Sequence, residues 1–335
     1  MALKLRIVVV GLGSIGRRHA RLLAERADTV VEWCETDAAA LEFARKELRP
    51  PAVCHASFEA ALKTRPDAVV IATPHTAHER PTVAALRAGV HVLCEKPMAD
   101  TLAAAQRMAQ AARESDRVLT FGFQLHFNPG LQRLKALITG GELGNLVHFH
   151  CRVGSYVTLK NSRSRHQQHV RGALLMDYTH QPDLLHWILG EEPAGVYAAG
   201  GTGGDLELSS TPNFLSITCD YARPCLGTIH LNYVQLPERH EYEVVGDRGW
   251  VIYDHNAGVM RRGERAGARE WKETFPTERD LMYRAEHQNF IDAITTGATV
   301  ESPAQSALVS MRIIDAALAS LQTQGRVGLR AAQVT

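Results

Sequence analysis

An excess of charge of either sign is missing from this chain: 37 Lys and Arg stand against 36 Asp and Glu in 335 residues, a formal net charge of +1. Proteins that coat nucleic acid carry a broad surplus of basic residues, so no nucleic-acid partner is expected. The six cysteines, at 34, 54, 94, 151, 219 and 225, include no C-x-x-C pair. That fits reduced thiols better than a disulfide framework and makes a cytoplasmic location the expectation. No apolar run reaches the roughly eighteen residues a membrane helix needs. The opening residues Met1 to Arg6 run into an apolar strand without an h-region and cleavage site, so neither a membrane span nor a secretory signal is expected. Internal repeats and low-complexity tracts are also lacking. What remains is an ordinary globular composition, 45% hydrophobic and 22% charged, in a chain long enough for two domains.

The first part alternates β-branched runs with Ala- and Leu-rich amphipathic segments, the pattern of βαβ units around a parallel sheet. Strands are expected at Arg6–Val10, Val30–Cys34, Ala68–Ala72, Val90–Cys94 and Val118–Phe121. A doubly wound α/β Rossmann domain over residues 1–123 follows. Beyond Gln124, strands at Leu146–Val153, Phe214–Tyr221, Cys225–Val234, His240–Val245 and Trp250–Asp254 succeed one another without helices between most of them. The turn Gly246-Asp247-Arg248-Gly249 predicts a hairpin. Helical patterns cover Leu174–Leu189 and Pro303–Gln322. Residues 124–335 therefore predict an α+β domain with an open, mainly antiparallel sheet, serving substrate binding and oligomerisation.

Gly11-Leu12-Gly13-Ser14-Ile15-Gly16 follows the first strand at once and opens a helical run. The first glycine permits the tight turn, the second lets backbone approach a pyrophosphate, and the third lets helix pack on strand, while the helix N-terminus offers N–H groups to the anion. Glu35 closes the next strand, nineteen positions after Gly16. A carboxylate there bonds a ribose 2′-hydroxyl and repels a 2′-phosphate, which favours NAD over NADP. Arg17 and Arg18 speak for NADP but lie in the first helical turn. Asp37 is expected to cap the following helix.

Ligands of open α/β sheets bind outside the carboxyl ends of the strands. That rule adds Thr73, Pro74 and His78 after the third strand and Glu95 and Lys96 after the fourth, with Pro97 holding Lys96 extended. His75 and His78 also form a metal-like pair, but the further ligands of a zinc site are not in view, so no metal is expected.

These features resemble the Gfo/Idh/MocA family nearly end to end: Gly11 to Gly16, Ala72-Thr73-Pro74, Glu95-Lys96-Pro97, Phe127-Asn128-Pro129, the Asp177 to Asp183 helix and the closing Gly325-Arg326-Val327. The resemblance implies an NAD(P)-dependent oxidoreductase acting on an alcohol of a sugar, polyol, sugar acid or sugar nucleotide. It implies that Lys96 contacts substrate hydroxyl and nicotinamide ribose, that Asp177 and His180 supply acid–base chemistry, and that the chain forms homodimers or homotetramers. Two other uses of the family fold stand beside it: an NAD-using lyase or glycosidase, and a non-catalytic dinucleotide sensor. Departures are visible. Asp177 and His180 are three residues apart rather than four, Pro182 is expected to kink or restart their helix, and His126 replaces an Arg. His126 is thus a candidate substrate contact, or else a hinge histidine.

From Leu143 to Met176 there is no acidic residue, yet Arg152, Lys160, Arg163, Arg165 and Arg171 are present, with histidines at 148, 150, 166 and 169. Guanidinium forks suit phosphate and carboxylate oxygens. Arg163 and Arg165 are therefore candidate contacts to an anionic substrate, against the plainer readings of a solvated loop or a subunit contact.

Overall fold

The computed structural model describes residues 4–49, 51, 53–156, 158, 172–204, 206, 212–267 and 269–329. Lys160, Arg163, Arg165, His166, His169 and Arg171 lie outside the described residues. Two compact units form: Met1–Phe127 with Arg279–Leu308, and Asn128–Glu278 with Val309–Thr335.

In the first unit, strands and helices alternate as β1 (Leu5–Val10), α1 (Ser14–Ala24), β2 (Thr29–Cys34), α2 (Ala38–Glu47), β3 (Cys54–His55), α3 (Phe58–Lys63), β4 (Ala68–Ile71), α4 (Glu79–Arg87), β5 (His91–Cys94), α5 (Leu102–Glu114) and β6 (Leu119–Phe121). The strands pair in parallel in the order β3-β2-β1-β4-β5-β6. β1 from Ile7 onward and the whole of β4 are unbroken apolar runs because a central parallel strand is covered on both faces; Ile7, Val8, Val9 and all of β4 are fully buried. The order reverses between β1 and β4, the crevice where such sheets take their ligands.

The second unit opens with α6 (Pro129–Thr139), started by Asn128, whose side chain accepts from Leu131 N–H. Its elements continue with β7 (Leu146–Gly154), α7 (Ala173–Asp177), α8 (His180–Leu189), β8 (Gly195–Gly201), β9 (Phe214–Asp220), β10 (Leu226–Asn232), β11 (Arg239–Gly246), β12 (Gly249–Asp254), β13 (Val259–Glu264) and β14 (Glu270–Thr274). Two helices, α9 (Arg279–Thr296) and α10 (Ala304–Thr323), and the short β15 (Val327–Gly328) follow. The sheet runs β14-β13-β12-β11-β7-β10-β9-β8-β15, with β7 and β10 paired in parallel and the other neighbours antiparallel. β11 and β12 form the predicted hairpin. Along β10, Gly227, Ile229 and Leu231 are buried while Thr228 and His230 are half-buried, the alternation of a sheet covered on one face. α8 lies on the covered face, where a Cβ on Gly227 would fall 2.6 Å from a Leu185 methyl. Tyr197, Phe214 and Leu226 are exposed. α10 is long and apolar enough to cross a membrane by length and composition, and 56% of its apolar window is buried in the protein.

The division of the chain differs from the sequence expectation, which gave all of 124–335 to one domain. Residues 279–308 return to the first unit because α9 packs there: Phe290 and Ile291 share a core with Ile7, Leu12, Leu23 and Trp33. Its buried stripe is Met282, Tyr283, Glu286, His287, Phe290 and Ile291. Two ionisable residues, Glu286 and His287, fill the middle of that stripe, and the helix therefore shows no apolar period in the sequence.

Candidate active site

The glycine loop fits a dinucleotide by the space at each glycine. Gly11 has φ +87° and a Cβ there would meet the Ala72 carbonyl at 2.9 Å, while one on Gly16 would lie 1.8 Å from the Gly11 carbonyl oxygen. At Gly13 a Cβ would meet nothing within 4 Å. That is the open side of the loop, where backbone is free to approach an anion. α1 starts beside it with no side-chain cap on its first N–H groups and no acid in its first turn, so Ser14, Ile15 and Gly16 present an N-terminus of positive potential. Glu35 closes β2 against the loop: one oxygen accepts from Leu12 N–H at 2.6 Å, the other from Thr36 and Asp37 N–H at 2.8 and 2.9 Å. A carboxylate offers about four lone-pair sites, so acceptor capacity remains for a ribose hydroxyl. Asp37 caps α2 as expected, accepting from Ala39 and Ala40.

The other two strand-end segments are knitted to this loop. Gly11 abuts Ala72 and Thr73. His78 lies 2.9 Å from both the Thr73 and Pro97 carbonyls, joining the loop after β4 to the loop after β5. That placement is a correction for His78 itself. The ring is buried with both nitrogens on backbone, so it braces Thr73 and Pro97 rather than touching a cofactor. Burial pushes its protonation below the usual imidazole range, against the two carbonyls that favour it. His126 is corrected in the same way: it is fully buried, its Nδ1 near the Ser302 hydroxyl at 2.9 Å and the Glu301 carbonyl at 3.2 Å, and its ring stacks on Phe123. It ties the Gln124–Phe127 turn to residues 301–302, and of the two readings the structural one fits. Lys96 is half-buried at the carboxyl edge of β5, in a cis peptide with Pro97.

Beneath Lys96 lies a polar cluster that sequence reasoning missed. Glu95 accepts from His19 Nε2 at 2.9 Å and from the Lys96 N–H at 3.1 Å, and His19 Nδ1 is 2.7 Å from His287 Nε2. Burial opposes ionisation of Glu95, but His19 and the Lys96 charge outweigh it and hold the carboxyl below the usual range. The next acid, Glu286, is buried with neither oxygen hydrogen-bonded. Burial first, then the Glu95 charge, push it well above the carboxylate range. Burial, then repulsion by His19, keep His287 neutral. A pH test follows for Glu286. In the unfolded chain it ionises near 4.5, whereas the native state keeps its proton, so this group makes stability fall as pH rises above that value. The slope is about 1.4 kcal/mol per pH unit until the native pKa is reached. Glu286→Gln cannot ionise, so its Tm gain should grow between pH 5 and pH 8, by about 2–4 °C per kcal/mol. Thermal melts across that range check it. A gain that shrinks as pH rises contradicts a protonated Glu286.

In the second unit, Asp177 is the last residue of α7 and His180 the first of α8. The chain breaks at Tyr178–Thr179, and Pro182 falls in the first turn of α8, where no intrahelical N–H is required of it. The expected helix thus comes as two pieces, restarting before the proline. Gly190, at φ +73°, ends the second. Asp177 Oδ2 accepts a hydrogen bond from the buried Tyr233 hydroxyl, and burial followed by the Asp177 charge raises that phenol. The Tyr178 ring lies 5.8 Å from the Tyr233 ring, its hydroxyl 3.1 Å from Thr158. Gln181 reaches His240 at 3.3 Å, and His240 reaches the Tyr242 hydroxyl at 2.6 Å. Burial, then the neighbouring His255, hold His240 neutral. In the sequence Tyr233 reads as part of the expected strand Cys225–Val234; the structure ends β10 at Asn232 and places Tyr233 just past it. Of the basic stretch, Arg152 is described and lies 3.5 Å from Glu241 across the β7–β11 pair.

A parallel six-stranded sheet with this loop at its switch point is a dinucleotide-binding Rossmann domain. The NAD-binding Rossmann model of the Gfo/Idh/MocA oxidoreductase family matches residues 5–123 and the model of its C-terminal alpha/beta domain matches 135–329, so the chain belongs to that family. It is an NAD-binding oxidoreductase. Inositol 2-dehydrogenase of Mycolicibacterium gilvum (strain PYR-GCK) is 28% identical over 345 residues, spanning 95% of this chain and 91% of its own. An oxidoreductase from Agrobacterium radiobacter, solved with NAD+, L-tartaric acid and magnesium, superposes with a TM-score of 0.88 at 16% identity, over 97% of this chain and 98% of that one. The WlbA dehydrogenase from Bordetella pertussis, solved with NADH and UDP-GlcNAcA, gives 0.80 at 23% identity, over 98% and 99%. At these identities both structures speak for the fold.

Proposed function

We propose that this chain is a cytoplasmic NAD-dependent dehydrogenase for a secondary alcohol of a sugar, polyol, sugar acid or sugar nucleotide. The observation that carries the reading is Lys96, a cation at the carboxyl edge of β5 in the same sheet as the glycine loop. Bound NAD would supply the hydride acceptor. The chain's own part is to hold the alcohol oxygen with the Lys96 ammonium and to take its proton on the His180 imidazole, a group whose ordinary pKa of about 6.5 suits that exchange. Asp177, steadied by Tyr233, would orient that ring. A second copy of the chain is the expected partner for the sheet face bearing Tyr197, Phe214 and Leu226, giving a homodimer or homotetramer. The test is incubation with NAD and a panel of sugars and polyols, myo-inositol included, in neutral, acidic, phosphorylated and nucleotide-linked forms. Net NADH formed one-for-one with ketone supports a dehydrogenase. Bond cleavage without net NADH points to a lyase or glycosidase, and dinucleotide binding with neither points to a sensor.

The preference for NAD over NADP rests on Glu35. Arg17 is held by Glu47 and the Leu12 carbonyl, and Arg18 by Asp280, so both cations of the first turn are already engaged. Wild type should bind NAD about tenfold or more tighter than NADP, and Glu35→Ser should narrow that ratio mainly by weakening NAD. Titration of both dinucleotides measures it, and tighter NADP binding by the wild type removes the assignment. The acid-free stretch supports an anionic substituent on the substrate. An acidic or phosphorylated panel member should then exceed its neutral parent in kcat/KM, and Arg163→Ala with Arg165→Ala should erase the difference. A neutral polyol that ranks first and ignores both substitutions excludes that role.

A further inference from the structure

We propose that Glu95 and His19 are positioning residues for Lys96, a buried acid–imidazole brace that fixes the lysine backbone relative to the helix at the glycine loop. The proposal rests on the reading of Lys96 as the residue that holds the substrate oxygen. Glu95 cannot serve a ligand directly. It is 6% exposed, and a Cβ on Gly122 would stand 2.8 Å from its carboxyl carbon, so the carboxyl packs into space that only a glycine at 122 leaves open. Its two oxygens are turned on two donors, His19 Nε2 and the Lys96 N–H. A carboxylate can only accept, so the His19 proton sits on Nε2. Its Nδ1 lies 2.7 Å from His287 Nε2, so the three side chains form one chain from His287 through His19 to Glu95. Tyr283 meets the His19 ring edge-on at 5.4 Å, closing its remaining freedom. His19 lies on α1, the helix whose N-terminus faces the open side of the glycine loop. The brace therefore links the two ligand-holding parts of this unit, and small misplacements of such groups are costly in rate.

The experiment compares His19→Phe, Glu95→Gln and Glu95→Met, alone and combined with Lys96→Ala, in the full-length protein. Readouts are NADH binding, turnover of the panel alcohol with the highest kcat/KM, and amide hydrogen exchange by peptide. Glu95→Met and His19→Phe should lower kcat about 30-fold or more with NADH affinity kept within about threefold. Glu95→Gln can still serve both groups if the His19 tautomer reverses, and should recover most of that loss. In the Lys96→Ala background each substitution should cost less than about twofold, since residues acting through one another are not additive. Exchange across residues 95–101 should quicken about tenfold or more while residues 5–24 stay unchanged. Wild-type kcat with unchanged exchange overturns the proposal, as does an undiminished loss in the Lys96→Ala background. Should Lys96→Ala itself keep full turnover, the functional reading of Lys96 falls instead. The exchange data then decide alone, quickening at 95–101 upholding the brace and its absence refuting it. If His19→Phe does not fold, the Glu95 pair carries the same comparison.

Discussion

Lys96→Ala is expected to lower kcat about 100- to 1,000-fold while NADH binds within about threefold of wild type. The asymmetry follows from where the side chain sits. The proposed dinucleotide contacts are the glycine loop, the N-terminus of α1 and Glu35, none of which the substitution touches. The ammonium matters when the alcohol oxygen sheds its proton and gains negative character, and an interaction made in that state lowers kcat when it is removed. Stability should hardly change, because the side chain is half-buried and the segment stays held through His78 to Pro97 and through Glu95 to the residue 96 N–H. Lys96→Arg should not rescue turnover, since a broad planar fork cannot occupy the place of a compact ammonium. Steady-state kinetics, NADH fluorescence and a melt on the same preparations check all three statements. Near-normal kcat with the alanine variant removes Lys96 from the chemistry.

The central strands of the first unit were legible because they are buried on both faces and so read as continuous apolar runs. Ala68–Ala72 was expected and β4 is Ala68–Ile71; Val90–Cys94 was expected and β5 is His91–Cys94. The rule that ligands sit at carboxyl strand ends then pointed to Thr73, Glu95 and Lys96 as candidates without a structure. It could not say that the Glu95 carboxylate turns inward. That depends on His19 and His287, brought to β5 by α1 and α9 from 76 residues before and 192 residues after Glu95 in the sequence. The polar pair that lets α9 join this cluster also hid the helix from any search for apolar period.

The second unit was less legible for a different reason. Of its missed strands, β8, β13 and β14 are glycine-rich or charged and half-exposed and β15 has only two residues, so they lack the apolar signal that marked β9 and β10. In the Leu174–Leu189 pattern the helical residues were found and a break was expected, but at Pro182. Proline was the visible interruption, yet the first turn of a helix accommodates it, and the break falls at Tyr178–Thr179. Asp177 and His180 consequently stand at the end of one helix and the start of the next, and the three-residue spacing is not a measure of one helical face. Tyr233, 56 residues away from Asp177, completes that corner through tertiary contact alone.

The glycine loop offers the sharpest separation of folding from binding, because two of its glycines do different work. Gly16→Ala should unfold the protein or lower its stability by about 3 kcal/mol or more, in the range of severe backbone and packing defects. A Cβ there would stand 1.8 Å from the Gly11 carbonyl oxygen and 3.4 Å from the Ala72 side chain. Neither backbone can retreat, since Gly11 N–H is bonded to the Cys34 carbonyl and Ala72 N–H to Val10. Gly13→Ala is the opposite case. Its Cβ meets no protein atom within 4 Å, and Gly13 caps α1 with a φ of −59°, which alanine adopts freely. The variant should melt within about 2 °C of wild type, a change of less than roughly 1 kcal/mol. If the open side of Gly13 is where the pyrophosphate approaches, the added methyl occupies that place and NADH affinity should fall about 100-fold, roughly 2.7 kcal/mol. Melting curves and NADH titrations on both variants read the two effects separately. A Gly13→Ala protein that binds NADH as wild type does would show that the dinucleotide does not lie against this loop, and the assignment of the whole crevice would have to be given up.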